Sequence, residues 1–193
     1  MLGTPPRAGE DGFTLVELLV VMAILTVIGS VGTSLVVSSL TSTKQTQSRV
    51  AASQDVQREV ERLARDLRVA DPIRVAAPNQ VVVDLHREGR CVRRTYALSA
   101  EGMLTVSSTA YPSWAECASY PTSGGVVSGQ TLLRDVVNGT QPLFSYRGAT
   151  GALPASFQPR QVAQVTITLT HLAPGAPGSA TLSTTVGVRN ATY

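Results

Sequence analysis

The segment "DGFTLVELLVVMAIL", Asp11–Leu25, is the most informative part of this 193-residue chain, because it places one carboxylate, Glu17, inside a long apolar run. Residues 18–43 contain no charged side chain, and about 20 apolar residues are enough for a helix to cross the hydrocarbon layer of a membrane. The run therefore predicts a transmembrane or membrane-stored helix. A cleaved secretory signal would need a basic start and a shorter apolar stretch, so it is the less favoured alternative.

The residues around Glu17 form a motif, in which Gly12 is followed at once by "FTLVELL". This segment resembles the class III signal of type IV pilins and type II secretion pseudopilins. The resemblance implies that a prepilin peptidase cleaves between Gly12 and Phe13 on the cytoplasmic side and methylates the new amine of Phe13. It also implies that the carboxylate of Glu17 pairs with the free N-terminal amine of a neighbouring subunit during assembly.

The charge of Glu17 also allows a simpler explanation. A carboxylate near a helix start can reach water by snorkelling, and it favours the positive end of the helix dipole. Glu10 and Asp11 stand beside the cut, where Lys or Arg is common in the family. The motif favours the assembly role of Glu17, and an interfacial position without such a role is the alternative.

The chain is long enough for one membrane segment and one compact domain. We assign residues 1–12 to a leader, 13–43 to the hydrophobic transmembrane/assembly helix, 44–70 to an amphipathic helix and 71–193 to a globular antiparallel β domain. The amphipathic segment carries an apolar stripe that recurs every three or four residues. Its members are Val56, Val60, Leu63, Leu67 and Ala70. We expect this stripe to pack onto a sheet in the same molecule.

After Asp71-Pro72, which ends the helix, short segments rich in β-forming residues predict strands. They are "QVVVDL", "CVRRTYAL", "MLTVSS", "LLRDVV", "PLFSYR", "QVTITLTHL" and "ATLSTTVGVRN". Gly89 marks a hairpin turn between the first two, and residues 109–129 predict a long irregular excursion. This order predicts an α+β fold and is similar to the type IV pilin-like fold, with a long N-terminal helix packed on a C-terminal antiparallel β-sheet. Local segments resemble the W-type minor pilins and the J-type minor pseudopilins.

Cys91 and Cys117 are the only cysteines, and both fall in the part expected outside the membrane, where disulfides persist. We predict that they pair and tether the excursion to the hairpin; two separate buried thiols are the alternative. No CxxC spacing occurs, and the chain has only two histidines, His86 and His171, so no metal site is expected. Neither histidine lies in a catalytic motif, so the chain is not expected to be an enzyme or to hold a cofactor.

Four arginines cluster on the predicted hairpin: Arg87, Arg90, Arg93 and Arg94. Such a cluster could meet the phosphate backbone of a nucleic acid, but no aromatic residues alternate with it to stack bases. We therefore favour a solvated strand face, with Glu88 and Asp84 as neighbours.

The resemblance as a whole implies a structural subunit, a minor pilin or pseudopilin of a type IV pilus-like or type II secretion filament. The implied partners are a prepilin peptidase, other pilin or pseudopilin subunits, an assembly-platform membrane protein, and membrane lipid before assembly. The implied location is the bacterial inner (cytoplasmic) membrane, with a single span and the globular domain outside. The alternatives are a filament-tip binding module, either an adhesin or a DNA-uptake competence subunit, and an anchored surface protein that is never cleaved.

Overall fold

The computed structural model describes residues 14–87, 89–119, 128–172 and 178–189. The chain divides into two compact units, Met1–Lys44 and Gln45–Tyr193. The elements in chain order are α1 (Leu15–Val69), β1 (Ala70–Ala77), β2 (Gln80–Arg87), β3 (Arg90–Leu98), β4 (Leu104–Tyr111), α2 (Trp114–Ser119), β5 (Ser128–Leu133), β6 (Phe144–Gly148), β7 (Gly151–Ala152), a 3-10 turn (Pro159–Gln161), β8 (Gln164–Leu172) and β9 (Ser179–Gly187).

Helix α1 is continuous through Gly29 and Gly32, so the apolar and the amphipathic segments belong to one helix. In the second unit, the apolar stripe of α1 is buried, as predicted. Val56, Val60, Leu63 and Leu67 each expose 2% or less of their surface, as does Ala70, which the structure places at the start of β1 rather than in the helix. These side chains join residues of both sheets in one hydrophobic core. The helix therefore contributes to the core of the globular unit.

The first sheet contains five antiparallel strands in the order β1-β2-β3-β4-β5. Strands β2 and β3 form the predicted hairpin, and Gly89 in its turn has a φ of 77°, a conformation that favours glycine. Strand β1 was not predicted, because Asp71-Pro72 is typical of a break in secondary structure. A proline at the start of an edge strand removes no hydrogen bond from the ladder, which explains why β1 can begin there.

The second sheet contains four antiparallel strands in the order β7-β6-β8-β9. The predicted α+β fold, a long N-terminal helix with antiparallel β structure, is confirmed, and its strands form two sheets rather than the single one expected. Their junction lies at the β1–β2 turn, where the backbone N–H of Phe144 donates to the carbonyl of Pro78 at 2.8 Å. The hydroxyl of Tyr146 donates to the carbonyl of Ala77 at 2.8 Å, and its burial raises its pKa well above the ordinary value.

The predicted strand "LLRDVV" is wrong as a single element. Strand β5 ends at Leu133, Asp135 has a positive φ of 57°, and Val136 then forms an isolated bridge with His171 of β8. The side chain of Asn138 continues this pairing, because its amide donates to the carbonyl of Thr168 at 2.7 Å. The segment therefore passes from the first sheet to the second at Asp135.

The predicted irregular excursion over residues 109–129 is partly regular. Strand β4 extends to Tyr111, the short helix α2 covers Trp114–Ser119, and β5 begins at Ser128. Residues 120–127 lie outside the described part of the chain, as do residues 173–177 between β8 and β9.

Candidate functional site

The start of α1 is built by a local cap. Thr14 precedes the first helical residue, and its hydroxyl accepts a hydrogen bond from the backbone N–H of Glu17 at 3.2 Å. This is the position of an N-cap residue, with the glutamate three residues later, as in a capping box. The cap places the carboxylate of Glu17 in the first turn, where the helix dipole stabilises a negative charge.

The turns that follow Glu17 present an apolar surface on every side. The helix contains an 18-residue stretch that is strongly apolar, and no part of that stretch is buried. The length and composition suffice to cross a membrane. Most of its exposed large apolar residues lie between Leu15 and Leu40. Glu17 is the only charged residue between Leu15 and Thr43.

The hydroxyl groups of this segment bond to its own backbone. Thr26 donates to the carbonyl of Met22 at 2.8 Å, and Ser34 donates to that of Ser30 at 2.9 Å. Thr41 donates to the carbonyl of Val37 at 2.9 Å. Because lipid offers no hydrogen-bond partners, a polar side chain that is satisfied within its helix suits a membrane. Glu17, the one charged side chain of this segment, is the group for which a lipid environment is most costly.

Gly12 and Phe13, the residues expected at the cleavage and methylation site, lie outside the described part of the chain. Their roles stay predictions. Of the three residues in the predicted processing and assembly motif, the structure describes Glu17 alone.

The second feature predicted from sequence is the disulfide. The structure joins Cys91 of β3 to Cys117 of α2, with the Cα atoms 6.0 Å apart. Both cysteines are buried in a small cluster with Tyr111, against which Trp114 packs. Trp114 also stacks on His86 of β2, with ring centroids 4.1 Å apart. The disulfide thus fixes α2 to the first sheet, as predicted.

The expectation of a solvated arginine face is wrong for Arg93. Only 3% of its side chain is exposed, and its Nε donates to the carboxylate of Asp84 at 2.7 Å. A terminal guanidinium nitrogen donates to the carbonyl of Cys117 at 2.6 Å. The hydrogen bond to Asp84 raises the pKa of Arg93 above its ordinary value, although burial opposes it. Arg74 also donates to Asp84 at 2.7 Å. The carboxylate of Asp84 thus holds Arg93 in place, and Arg93 in turn binds the backbone of α2.

Arg94 is also not solvated, and it lies on the opposite face of β3 because successive side chains of a strand alternate. Its guanidinium donates to Asp66 of α1, and the hydroxyl of Tyr96 donates to the same carboxylate oxygen. Burial lowers the pKa of Arg94, but Asp66 outweighs this effect and raises it. Burial, aided by Asp66, raises the pKa of Tyr96 well above its ordinary value. This triad fastens α1 to the first sheet.

Sequence reasoning missed Asp66, which is 3% exposed. Its position, three residues after Leu63 and one before Leu67, placed it beside the buried stripe and was the available signal. Exposed Arg90 does belong to the solvated surface, and the side chain of Arg87 and all of Glu88 lie outside the described part.

The remaining candidate chemical groups among the described residues are the two cysteine sulfurs, the carboxylate of Asp84 and the two histidines. The sulfur atoms of Cys91 and Cys117 lie near the carboxylate of Asp84, but they are bonded to each other and so are not thiolate ligands. The carboxylate of Asp84 is already paired with two arginines. The two histidines are separated, since His86 is exposed beside Trp114 and His171 is buried in β8.

The fold and this site define a class of protein. An exposed apolar helix has an N-terminal cap and one glutamate in its first turn, and a β unit that contains a disulfide follows in the chain. Residues 7–33 match the family model described as the prokaryotic N-terminal methylation motif. With the long apolar helix, this match fits a type IV pilin-like protein, and the two features indicate membrane anchoring. Comparison with curated proteins and with solved structures finds no match.

Proposed function

We propose that this protein is a minor pilin or pseudopilin, a structural subunit of a type IV pilus-like or type II secretion filament rather than a catalyst. The carrying observation is that the methylation motif over residues 7–33 includes the first turns of an exposed apolar helix, which has one carboxylate near its start. Prepilin peptidase cleaves between Gly12 and Phe13 and methylates the amine of Phe13. The processed chain remains in the inner membrane by a single span, with the β unit outside, until the assembly platform adds it to other subunits.

Glu17 has the chemistry for this assembly step. An unpaired carboxylate in lipid is costly, whereas opposite charges attract strongly where the dielectric constant is low. The amine of Phe13 on a neighbouring subunit supplies the opposite charge. Entry of the helix into a filament therefore relieves the cost of Glu17 and selects one axial register.

The direct test is the intact mass and N-terminal sequence of the protein purified from its native membrane. We expect a mature chain that begins with N-methylated Phe13. A chain that begins at Met1 would contradict the proposal and leave an anchored surface protein.

The assembly step is tested by Glu17→Gln, which removes the charge at nearly constant size, with Glu17→Asp as the control. We expect Glu17→Gln to be cleaved normally but to lose co-purification with other pilin-like subunits, and Glu17→Asp to retain a large part of it. Equal co-purification of Glu17→Gln and the unchanged protein would assign Glu17 to an interfacial position only.

A further inference from the structure

The outer edge of β9 is a long strand edge without a neighbour. Its nine residues pair with β8 over their whole length and without a register shift. Within the ranges that the structure describes, no strand pairs with the other edge of β9. The backbone N–H and C=O groups of alternate β9 residues therefore point away from the sheet and are available to another strand.

The remaining described edges carry features that discourage strand pairing. Strand β1 contains Pro72 and two register shifts, β5 is six residues long with a register shift, and β7 has two residues. Strand β9 contains no charged residue and no proline. Proteins usually protect exposed edges with charges, prolines, bulges or short length, so the unprotected edge of β9 indicates a strand-pairing surface.

Strand β9 is held firmly against β8. On the exposed face, three hydroxyl pairs connect the strands: Thr166 with Thr185 at 2.8 Å, Thr168 with Ser183 at 3.1 Å, and Thr170 with Thr181 at 3.0 Å. Such cross-strand pairs stabilise a sheet. The edge is therefore preorganised, which lowers the entropy cost of adding a strand.

A groove runs between this edge and α1 within the second unit. It contains cavities of about 580 Å³, at Leu182–Thr184, and about 270 Å³, at Gly178–Ala180. Helix residues between Gln57 and Arg68 line the first cavity, and Arg49 lines the second. The groove thus follows β9 from Ser179 to Thr184.

The wall formed by α1 is positively charged. Arg65 and Arg68 are exposed and take part in none of the ion pairs found among the described residues. Arg49 lies at the other end of the groove. The one carboxylate of the wall, Glu61, accepts a hydrogen bond from Gln57 at 3.1 Å. An occupant with carboxylates would therefore complement this wall.

We propose that the groove binds an extended, acidic segment of another protein, which adds to β9 as a fifth strand of the second sheet. Backbone hydrogen bonds to β9 supply affinity, and carboxylates of the segment pair with Arg65 and Arg68. This inference goes beyond the filament role, because it does not depend on cleavage at Gly12-Phe13 or on the charge of Glu17.

The test is hydrogen exchange of the full chain in detergent micelles, with a nine-residue synthetic peptide of alternating threonine and valine that carries two central aspartates. We expect the peptide to slow exchange of β9 amides and to leave the β5 edge unchanged. The double variant Arg65→Glu with Arg68→Glu should bind the peptide about tenfold or more weakly, because two attractive pairs become repulsive. It should bind the counterpart peptide with two lysines more tightly.

Arg58→Glu with Arg62→Glu is the matched control, since it reverses the same number of charges on the same helix outside the lining of the groove. We expect this variant to bind the aspartate peptide as the unchanged protein does. Three results would overturn the proposal: no protection of β9, equal protection by both peptides, or equal loss in both double variants. If protection of the β9 amides rises with protein concentration in the absence of peptide, the groove binds a second copy of this chain, and the proposal is wrong.

Discussion

Asp66 is the residue on which the contact between α1 and the first sheet depends most directly. Its carboxylate accepts from both Arg94 and Tyr96, and 4% of its side chain is exposed, against 16% for Arg94. A buried ion pair contributes little net stability by itself, but removal of one partner leaves a charge without compensation. The ion pair therefore supports the contact between α1 and the first sheet only when both Asp66 and Arg94 are present.

We predict that Asp66→Ala lowers the free energy of unfolding by about 3 kcal/mol, because the guanidinium of Arg94 loses its counter-charge. Tyr96→Phe removes one hydrogen bond and should cost about 1 kcal/mol. Asp55→Ala is the control, since its pair with Arg58 is exposed and should contribute less than about 1 kcal/mol. Denaturant unfolding of the full chain in micelles measures all three. Equal losses for Asp66→Ala and Asp55→Ala would show that the triad does not hold the helix.

The disulfide and Arg93 both attach α2 to the first sheet at Cys117, the disulfide through its sulfur and Arg93 through a hydrogen bond to its carbonyl. Trp114 is the only tryptophan of the chain, and it lies in α2 against His86. Intrinsic fluorescence therefore reports on the docking of α2 without any label.

We predict that Cys91→Ala with Cys117→Ala lowers the free energy of unfolding by about 3 kcal/mol in the chain-entropy model, and shifts the emission of Trp114 to longer wavelength as α2 becomes solvated. The control is His86→Ala, which removes the stacking partner but keeps the disulfide and should leave the unfolding free energy within about 1 kcal/mol. Unchanged emission in the double variant would mean that Arg93 alone holds α2.

Elements whose signals lie within a few residues were predictable from sequence. The stripe of α1 and the hairpin at Gly89 both follow from local spacing. Contacts between distant residues were not predictable. Asp66 meets Arg94 across 28 positions, and Arg93 meets Cys117 across 24, so the arginines were expected to be solvated although partners elsewhere in the chain bury them. Likewise, no local signal showed that the chain changes sheets at Asp135.

On the scale of the whole molecule, the structure assigns the two halves of α1 to different units. The half up to Lys44 exposes its apolar side chains, whereas the half from Gln45 buries Val56, Val60, Leu63 and Leu67 in the core of the β unit. The first half is therefore the part that requires lipid or neighbouring helices, and the second half is part of a hydrophobic core that includes both sheets.

This division predicts the outcome of two truncations. A chain of residues 45–193 should fold as a soluble protein with its disulfide formed, because it retains every member of the stripe. A chain of residues 71–193 should aggregate, because it exposes the core positions that α1 covers, and each large apolar side chain removed from a core costs about 2–5 kcal/mol. Size-exclusion chromatography and Trp114 emission distinguish the two results. A folded 71–193 chain would show that α1 is dispensable to the core; if 45–193 aggregates while the full chain in micelles stays folded, the β unit depends on the apolar half of the helix as well.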